Sequence, residues 1–134
     1  MLVDTNVLSE LARRAPHPAV LDWLGKHQPR IHLSVVTLEE LVFGVARATG
    51  TAKSRLTKWL AALLAAHPPI LEVTTAIARA SGELRATRET NGRPVAMADM
   101  LIAATALVHG LTIVTRNVRD FEGCGVRLLD PFAG

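Results

Sequence analysis

The chain alternates short apolar runs with longer segments of helical period. Leu2 and Val3 predict a very short buried strand. Asp4, Thr5 and Asn6, residue types that cap helices, follow before apolar positions resume at Val7, Leu8 and Leu11. The Ala15-Pro16-His17-Pro18 stretch stops that helix, and Val20, Leu21 and Leu24 mark a second one closed by Gly25 and Pro29. Residues 31–36 predict strand two. Thr37 then predicts the N-cap of a third helix, with Glu40 three positions on in the arrangement of a capping box and Leu38, Leu41, Val42 and Val45 as its apolar face. Beyond Gly50, the positions of Leu56, Trp59, Leu60, Leu63 and Leu64 predict an amphipathic helix that stops at His67-Pro68-Pro69. Residues 70–73 predict strand three, and Thr74 or Thr75 caps a long helix with the stripe Ile77, Ala80, Ser81 and Leu84. After the turn Asn91-Gly92-Arg93-Pro94, residues 97–109 are apolar almost all round, so that helix is expected to be buried on most sides. Residues 111–115 predict strand four, 116–121 a loop or helical turn, and 126–129 the last strand.

Strands alternating with helices in this order predict an α/β fold. The expectation is a three-layer α/β/α sandwich on a central parallel sheet of four to five strands, linked by right-handed crossovers. A length of 134 residues suits one domain spanning 1–134. Hydrophobic residues make up 49% of the chain while aromatics are 4% and Tyr is absent, which describes the aliphatic core of a helix-covered parallel sheet.

Composition removes several classes of function. Cys124 is the only cysteine, so no intramolecular disulfide framework exists. The longest apolar segments, 59–66 and 100–108, are too short to span a bilayer, and Asp4 arrives before any signal-like run, so a cytoplasmic protein is expected. His17, His27, His32, His67 and His109 are scattered without ligand spacing and are expected on the surface or in loops. The formal net charge is +3, and arginine supplies 12 of the 15 basic residues. That bias permits a nucleic-acid partner, because a guanidinium fork suits phosphate oxygens, but so small a charge does not demand one.

The topology gives the acidic residues a common place. In a parallel sheet with returning helices, the N-terminal ends of helices lie at the edge where strands end, and that edge gathers ligand sites. Asp4 ends strand one, Glu40 stands one turn beyond strand two, Asp99 opens a helix, and Asn117 and Asp120 follow strand four. Each has a structural reading: Asp4 caps a helix, Glu40 serves a capping box, Asp99 complements a helix dipole, and Asn117 and Asp120 form a turn. Their joint placement favours a site. Carboxylates converging in one crevice repel by about 4 kcal/mol per close pair at an effective dielectric near 20 and call for a cation. Oxygen ligands without cysteine or histidine spacing point to Mg2+ or Mn2+ rather than zinc. Such an ion supports phosphodiester hydrolysis by lowering the pKa of a bound water and stabilising charge at phosphorus. Trp59 belongs to a core or subunit-interface stripe. The arginines of the long helix, Arg79, Arg85 and Arg88, are expected on a solvated face, and Arg79, Arg85, Arg116 and Arg119 are the candidates for contact with substrate.

The chain resembles the PIN-domain family, and within it toxins of the VapC type from type II toxin–antitoxin systems. The resemblance rests on Leu2-Val3-Asp4-Thr5-Asn6, Ser34-Val35-Val36-Thr37 with Glu40-Leu41 and Gly44, Asp99-Met100-Leu101-Ile102-Ala103-Ala104-Thr105-Ala106, and Thr115-Arg116-Asn117-Val118-Arg119-Asp120-Phe121, in that order and spacing. It implies a Mg2+-dependent endoribonuclease. Asp4, Glu40 and Asp99 match the acids that ligate metal or position water, Thr5 and Asn6 the pair after the first acid, and Thr115 the hydroxyl that lines the pocket. It also implies a homodimer and a small cognate antitoxin whose C-terminal segment lies in a groove between helices and blocks the site. The fourth acid departs from the pattern: several members carry Asp where this chain has Asn117, and others place an acid where it has Asp120. Asn117 offers a carbonyl oxygen but no charge, so the fourth role is assigned to Asp120 as a catalytic acid beside Asp4, Glu40 and Asp99.

Two other classes compete. A phosphoacceptor receiver domain has similar size and a Mg2+ site, but it needs an acid pair after strand one and an acceptor Asp ending strand three. Here Asp4 stands alone and strand three offers only Glu72. A catalytically inert PIN-fold module that binds protein is the second rival, kept open by Asn117.

Overall fold

The structure is a computed structural model and describes residues 1–133. Five parallel strands of two residues each carry the fold: β1 (Leu2–Val3), β2 (Leu33–Ser34), β3 (Ile70–Leu71), β4 (Ile113–Val114) and β5 (Leu128–Leu129). β1 pairs with β4 in the register Leu2 to Ile113 and Val3 to Val114, and β4 pairs with β5 through Ile113 and Leu128. β2 pairs with β3 through Leu33 and Ile70. A parallel bridge between Leu2 and His32 joins the two groups. There the Val3 amide donates to the His32 carbonyl at 3.0 Å and the His32 amide to the Met1 carbonyl at 2.8 Å. The strands therefore follow one another as β3-β2-β1-β4-β5.

Side chains alternate across this sheet and bury both of its faces. Leu2 and Ile113 point one way and pack on Met100, Ile102, Ala103 and Ala106 of α6 (Met97–His109), against which α5 (Thr75–Thr90) lies. Val3 and Val114 point the other way. They meet Val7 and Leu8 of α1 (Thr5–Leu11), Val20 and Leu24 of α2 (Pro18–His27), Leu41 of α3 (Val35–Arg47) and Leu60 of α4 (Gly50–Ala65). Fully burying each large aliphatic side chain contributes about 1.5 to 3 kcal/mol. The three layers match the expected architecture. Among the described residues no helix is long and apolar enough to cross a membrane.

The strands are shorter than the apolar runs that announce them, for two visible reasons. Ser34 ends β2: its side chain accepts a hydrogen bond from the Val36 amide at 3.0 Å and caps α3, so Val35 and Val36 start a helix instead of extending the strand. Thr37 is therefore not the N-cap but a buried position in the first turn of α3, and its pairing with Glu40 in a capping box does not form. Leu111 is diverted from β4 because its amide donates to the Ala106 carbonyl at 2.9 Å, closing α6 around Gly110, whose φ of 65° is the left-handed conformation glycine accepts without strain. Beyond β4 the chain makes a 3-10 turn at Val118–Asp120. Ser34→Ala is expected to remove the cap of α3 and cost about 1 kcal/mol. A thermal melt that does not move would show that packing alone starts this helix.

Candidate active site

Backbone pairing delivers the first two polar groups. The Asp4 amide donates to the Val114 carbonyl at 2.9 Å and the Thr115 amide to the Leu129 carbonyl at 2.9 Å, so β1 and β4 end side by side at their carboxyl edge. Asp4 is only 6% exposed, and Thr115 is fully buried beside it. The Asp4 carboxylate is held from three sides. Oδ1 accepts from the Thr5 amide at 2.8 Å, which caps α1, and Oδ2 accepts from Thr115 Oγ1 at 2.8 Å and Asn6 Nδ2 at 3.2 Å. Thr115 Oγ1 in turn accepts from Asn6 Nδ2 at 3.3 Å and the Asn117 amide at 3.0 Å, so its one donor and both lone pairs are engaged. Asn6 Oδ1 accepts from the Arg116 amide at 3.0 Å, which agrees with the amide orientation of the other bonds.

Glu40 reaches the same place from α3. Freed from any cap, its Oε1 accepts from Thr5 Oγ1 at 2.7 Å, tying α3 to the start of α1. Asp99 stands in the first turn of α6. Asp4, Thr5, Asn6, Glu40, Asp99 and Asn117 line one polar hollow, with Arg13 and Arg116 among the other lining residues. Asp120 is exposed and does not line the hollow, but its charge is felt by both Asp4 and Asp99. Arg79, Arg85 and Arg119 are not among the lining residues. A larger hollow, walled by Leu8, Leu11, Leu21, Leu24 and Leu63, has no carboxylate in its lining, so the ionic chemistry belongs to the shallower polar one.

The electrostatics describe acids crowded together. Burial pushes the Asp99 carboxyl up to about 6, the charges of Asp120, Asp4 and Glu40 add to the rise, and the Arg88 guanidinium opposes it. Burial also raises Asp4 above the usual carboxylate range; hydrogen bonds from Thr115, Thr5 and Asn6 resist this, and Asp120 adds to it. Such a site favours a cation. Its lining offers oxygen donors and no histidine or cysteine, a set suited to a hard divalent ion. Among the described residues no three His, Cys, Asp or Glu side chains gather into a ready cage. Mg2+ asks for less than a cage, since it takes one or two carboxylates and keeps several waters for exchange with phosphate oxygens.

Two charged residues escaped the sequence pattern. Glu10 is buried, accepting from the His17 amide at 2.9 Å and from Arg13 at 3.4 Å, so it fastens the corner between α1 and α2 and holds Arg13 at the mouth of the hollow. No periodicity marks it. Arg88, expected on a solvated face, is buried. Its signal was present: Ile77, Ser81 and Leu84 continue at helical spacing to position 88.

Comparison with known proteins gives a consistent answer. VapC ribonuclease Y4jK of Sinorhizobium fredii is 33% identical, the match covering 98% of this chain and 97% of that protein. The crystal structure of FitAcB from Neisseria gonorrhoeae superposes with a TM-score of 0.84 at 35% identity, covering 98% of this chain and 97% of its own. A toxin–antitoxin complex from Klebsiella pneumoniae superposes with a TM-score of 0.71 at 27% identity, covering 97% and 96%. The family model described as PIN domain matches residues 1–123. An acidic hollow at the carboxyl edge of a parallel sheet thus sits within a match that spans nearly the whole sequence, and the chain belongs to the PIN domain family.

Proposed function

We propose that the chain is a Mg2+-dependent endoribonuclease, the toxin of a toxin–antitoxin pair, with Mn2+ able to replace Mg2+. The observation that carries this reading is Asp4, buried and triply hydrogen-bonded where β1 and β4 end, with Glu40 and Asp99 lining the same hollow. The similarity to a protein named a VapC ribonuclease supports the substrate class. Asp4 and Asp99 would hold the ion, and Glu40 would help hold it or orient the attacking water. The bound cation would supply charge neutralisation at the phosphate and acidify a water. The chain's own residues do the rest. Thr115 and Asn6 fix the Asp4 carboxylate, Thr5 fixes Glu40, and Arg116, with its guanidinium 4.5 Å from the Phe132 ring, stands at the mouth for an RNA phosphate. Arg79, Arg85 and Arg119 are assigned more distant contacts with the RNA backbone. For the fourth acid we assign Asp120 by its charge, while Asn117 contributes its backbone amide to Thr115.

The partners follow from the surfaces. A narrow hollow between α1, α3 and α4, lined by Leu41, Gly44, Leu56 and Trp59, shares Ser9 and Glu40 with the acidic one. An antitoxin segment laid there would end against Glu40, and the similarity to a solved toxin–antitoxin complex supports such a partner. Val35, Met97 and Leu101 line a groove between α3 and α6, and Phe43 of α3 is 58% exposed. These apolar positions are the face we assign to a homodimer. Residues 1–134 act as one domain, in the cytoplasm. The receiver reading finds no acceptor: β3 ends at Leu71 and Glu72 is a single exposed acid.

The direct test is incubation of the purified chain with cellular RNA. Cleavage is expected with millimolar Mg2+ or Mn2+ and is expected to stop with EDTA; sequencing of the new ends would name the target. Cleavage that persists in chelator would sink the metal mechanism. Metal binding without cleavage would favour the inert module.

A further inference from the structure

Arg88 lies in the last turn of α5 and is 5% exposed. Burying a guanidinium is costly unless its donors are answered. The ion pairs among the described residues are Arg13 with Glu10, Lys26 with Asp22 and Arg93 with Glu122, so none answers Arg88. Its partners are carbonyl oxygens instead. Nη1 donates to the Glu122 carbonyl and stands 3.6 Å from Cys124 Sγ; Nη2 donates to the Asp120 carbonyl at 3.3 Å and the Arg119 carbonyl at 3.5 Å. All four partners belong to the 3-10 turn at Val118–Asp120 and the residues just after it. A space-filling role in the stripe is met elsewhere by Ile77 and Leu84, which have no donors to place. A fork directed at several carbonyls fixes the backbone that carries a side chain, and here that side chain is the exposed Asp120.

We propose that Arg88 is a positioning residue: by clamping the carbonyls of Arg119, Asp120 and Glu122 it sets where the Asp120 carboxylate stands relative to Asp4 and Asp99. This rests on the reading of the hollow as a metal-dependent nuclease site. It also assigns the fourth corner to Asp120, because the clamp holds the backbone carbonyl of Asp120 and, among the bonds of the described residues, does not hold that of Asn117. The Asp120 charge already acts on Asp4 and Asp99, so moving it changes how the acids share a cation.

Arg88→Lys keeps the charge and loses the fork. Mn2+ affinity, read by electron paramagnetic resonance, and kcat and KM for RNA cleavage in Mg2+ are to be measured in four chains: unaltered, Arg88→Lys, Asp120→Asn and the double variant. Arg88→Lys is expected to weaken Mn2+ binding and lower kcat by about tenfold each with KM within about twofold, the size usual for a residue that orients a metal ligand. In the Asp120→Asn background the same change is expected to shift neither quantity by more than about twofold, because the two residues act as a unit. Effects that multiply in full overturn the proposal, as does a lowered melting temperature with Mn2+ affinity and kcat unchanged. If the lysine variant unfolds, Arg88→Gln takes its place. Because it also removes a charge that acts on Asp99, the quantity read is then the part of its effect that disappears in the Asp120→Asn background. An effect undiminished there overturns the proposal, while unfolding by both leaves Arg88 a purely structural residue. An unaltered chain that binds Mn2+ and cuts no RNA sinks the nuclease reading alone, and the Mn2+ arm then decides on Arg88.

Discussion

Asp4→Asn is expected to slow Mg2+-dependent RNA cleavage by about a thousandfold, the scale lost when a charge aimed at the reacting centre is removed. The variant should remain folded. Asparagine caps helices as well as aspartate, so its carbonyl oxygen can keep the bond from the Thr5 amide. The trouble lies at the other oxygen, which accepts from Thr115 Oγ1 and Asn6 Nδ2; an amide nitrogen in its place would put donors against donors. Thr115 cannot turn to accept it, because both of its lone pairs are taken by Asn6 and the Asn117 amide. One unmatched buried donor costs about 1 to 3 kcal/mol. Against that, the substitution removes a buried charge that Asp120 repels. The two effects oppose, so a net loss near 1 kcal/mol and a fall of about 4 °C in melting temperature are expected. A thousandfold change in rate with so small a change in stability assigns Asp4 to chemistry. Cleavage within tenfold of the unaltered chain would remove it from the mechanism.

The layers were legible because apolar periodicity and Gly/Pro punctuation are local signals, and in this chain they agree. Strand lengths were not legible, because pairing decides them. Residues 31–36 read as one strand, but β2 needs only Leu33 and Ser34 opposite Ile70 and Leu71, and Ser34 is itself a strong cap. Glu40 was a candidate by its place one turn beyond strand two, and the structure removes only its rival reading as half of a capping box. The T-x-x-E spacing assigned it to Thr37, whereas the helix starts two residues before Thr37 and leaves Glu40 free to meet Thr5. Asp4 and Asp99 were legible because a carboxylate at a strand end or in a first helical turn falls on a definite edge of a parallel sheet. Arg88 continues the spacing of Ile77, Ser81 and Leu84, so its burial was legible; its partners were not, since the carbonyls that receive it lie more than thirty positions later. The same distance in sequence hid the choice between Asn117 and Asp120: spacing places both after β4, and only the path of the turn separates the one lining the hollow from the one acting by its charge.

Asp99→Asn is expected to change sign with conditions, which makes it the most discriminating test of the acidic hollow. Without metal, the carboxyl of Asp99 titrates at about 6 in the folded chain against 3.8 in its ordinary state. Between those values the folded form binds the extra proton, so stability falls as pH rises from about 4 through 6, and the deficit is fully present above that. Asparagine has no such deficit. A shift of about two units would correspond to nearly 3 kcal/mol if it were fully expressed, but Asp99 is only partly buried and solvent screens it, so about 1 kcal/mol, or roughly 4 °C in melting temperature, is the gain expected from this source at pH 8. Near pH 3 the two chains should melt together. One effect opposes the gain: Asp99 sits in the first turn of α6, where the Ala96 cap makes no side-chain bond and a negative charge favours the helix dipole by about 0.3 to 1 kcal/mol. Taken from the gain of about 1 kcal/mol, it leaves a net of about 0.5 kcal/mol, roughly 2 °C, in favour of the variant at pH 8. Millimolar Mg2+ should reverse the order, because a cation held by the unaltered acids stabilises that chain by RT ln(1 + [Mg2+]/Kd), a gain the variant forfeits together with cleavage. Melting curves at pH 3 and pH 8, with and without Mg2+, contain the whole test. A variant that melts below the unaltered chain at pH 8 without metal would mean that Asp99 serves the helix rather than the hollow.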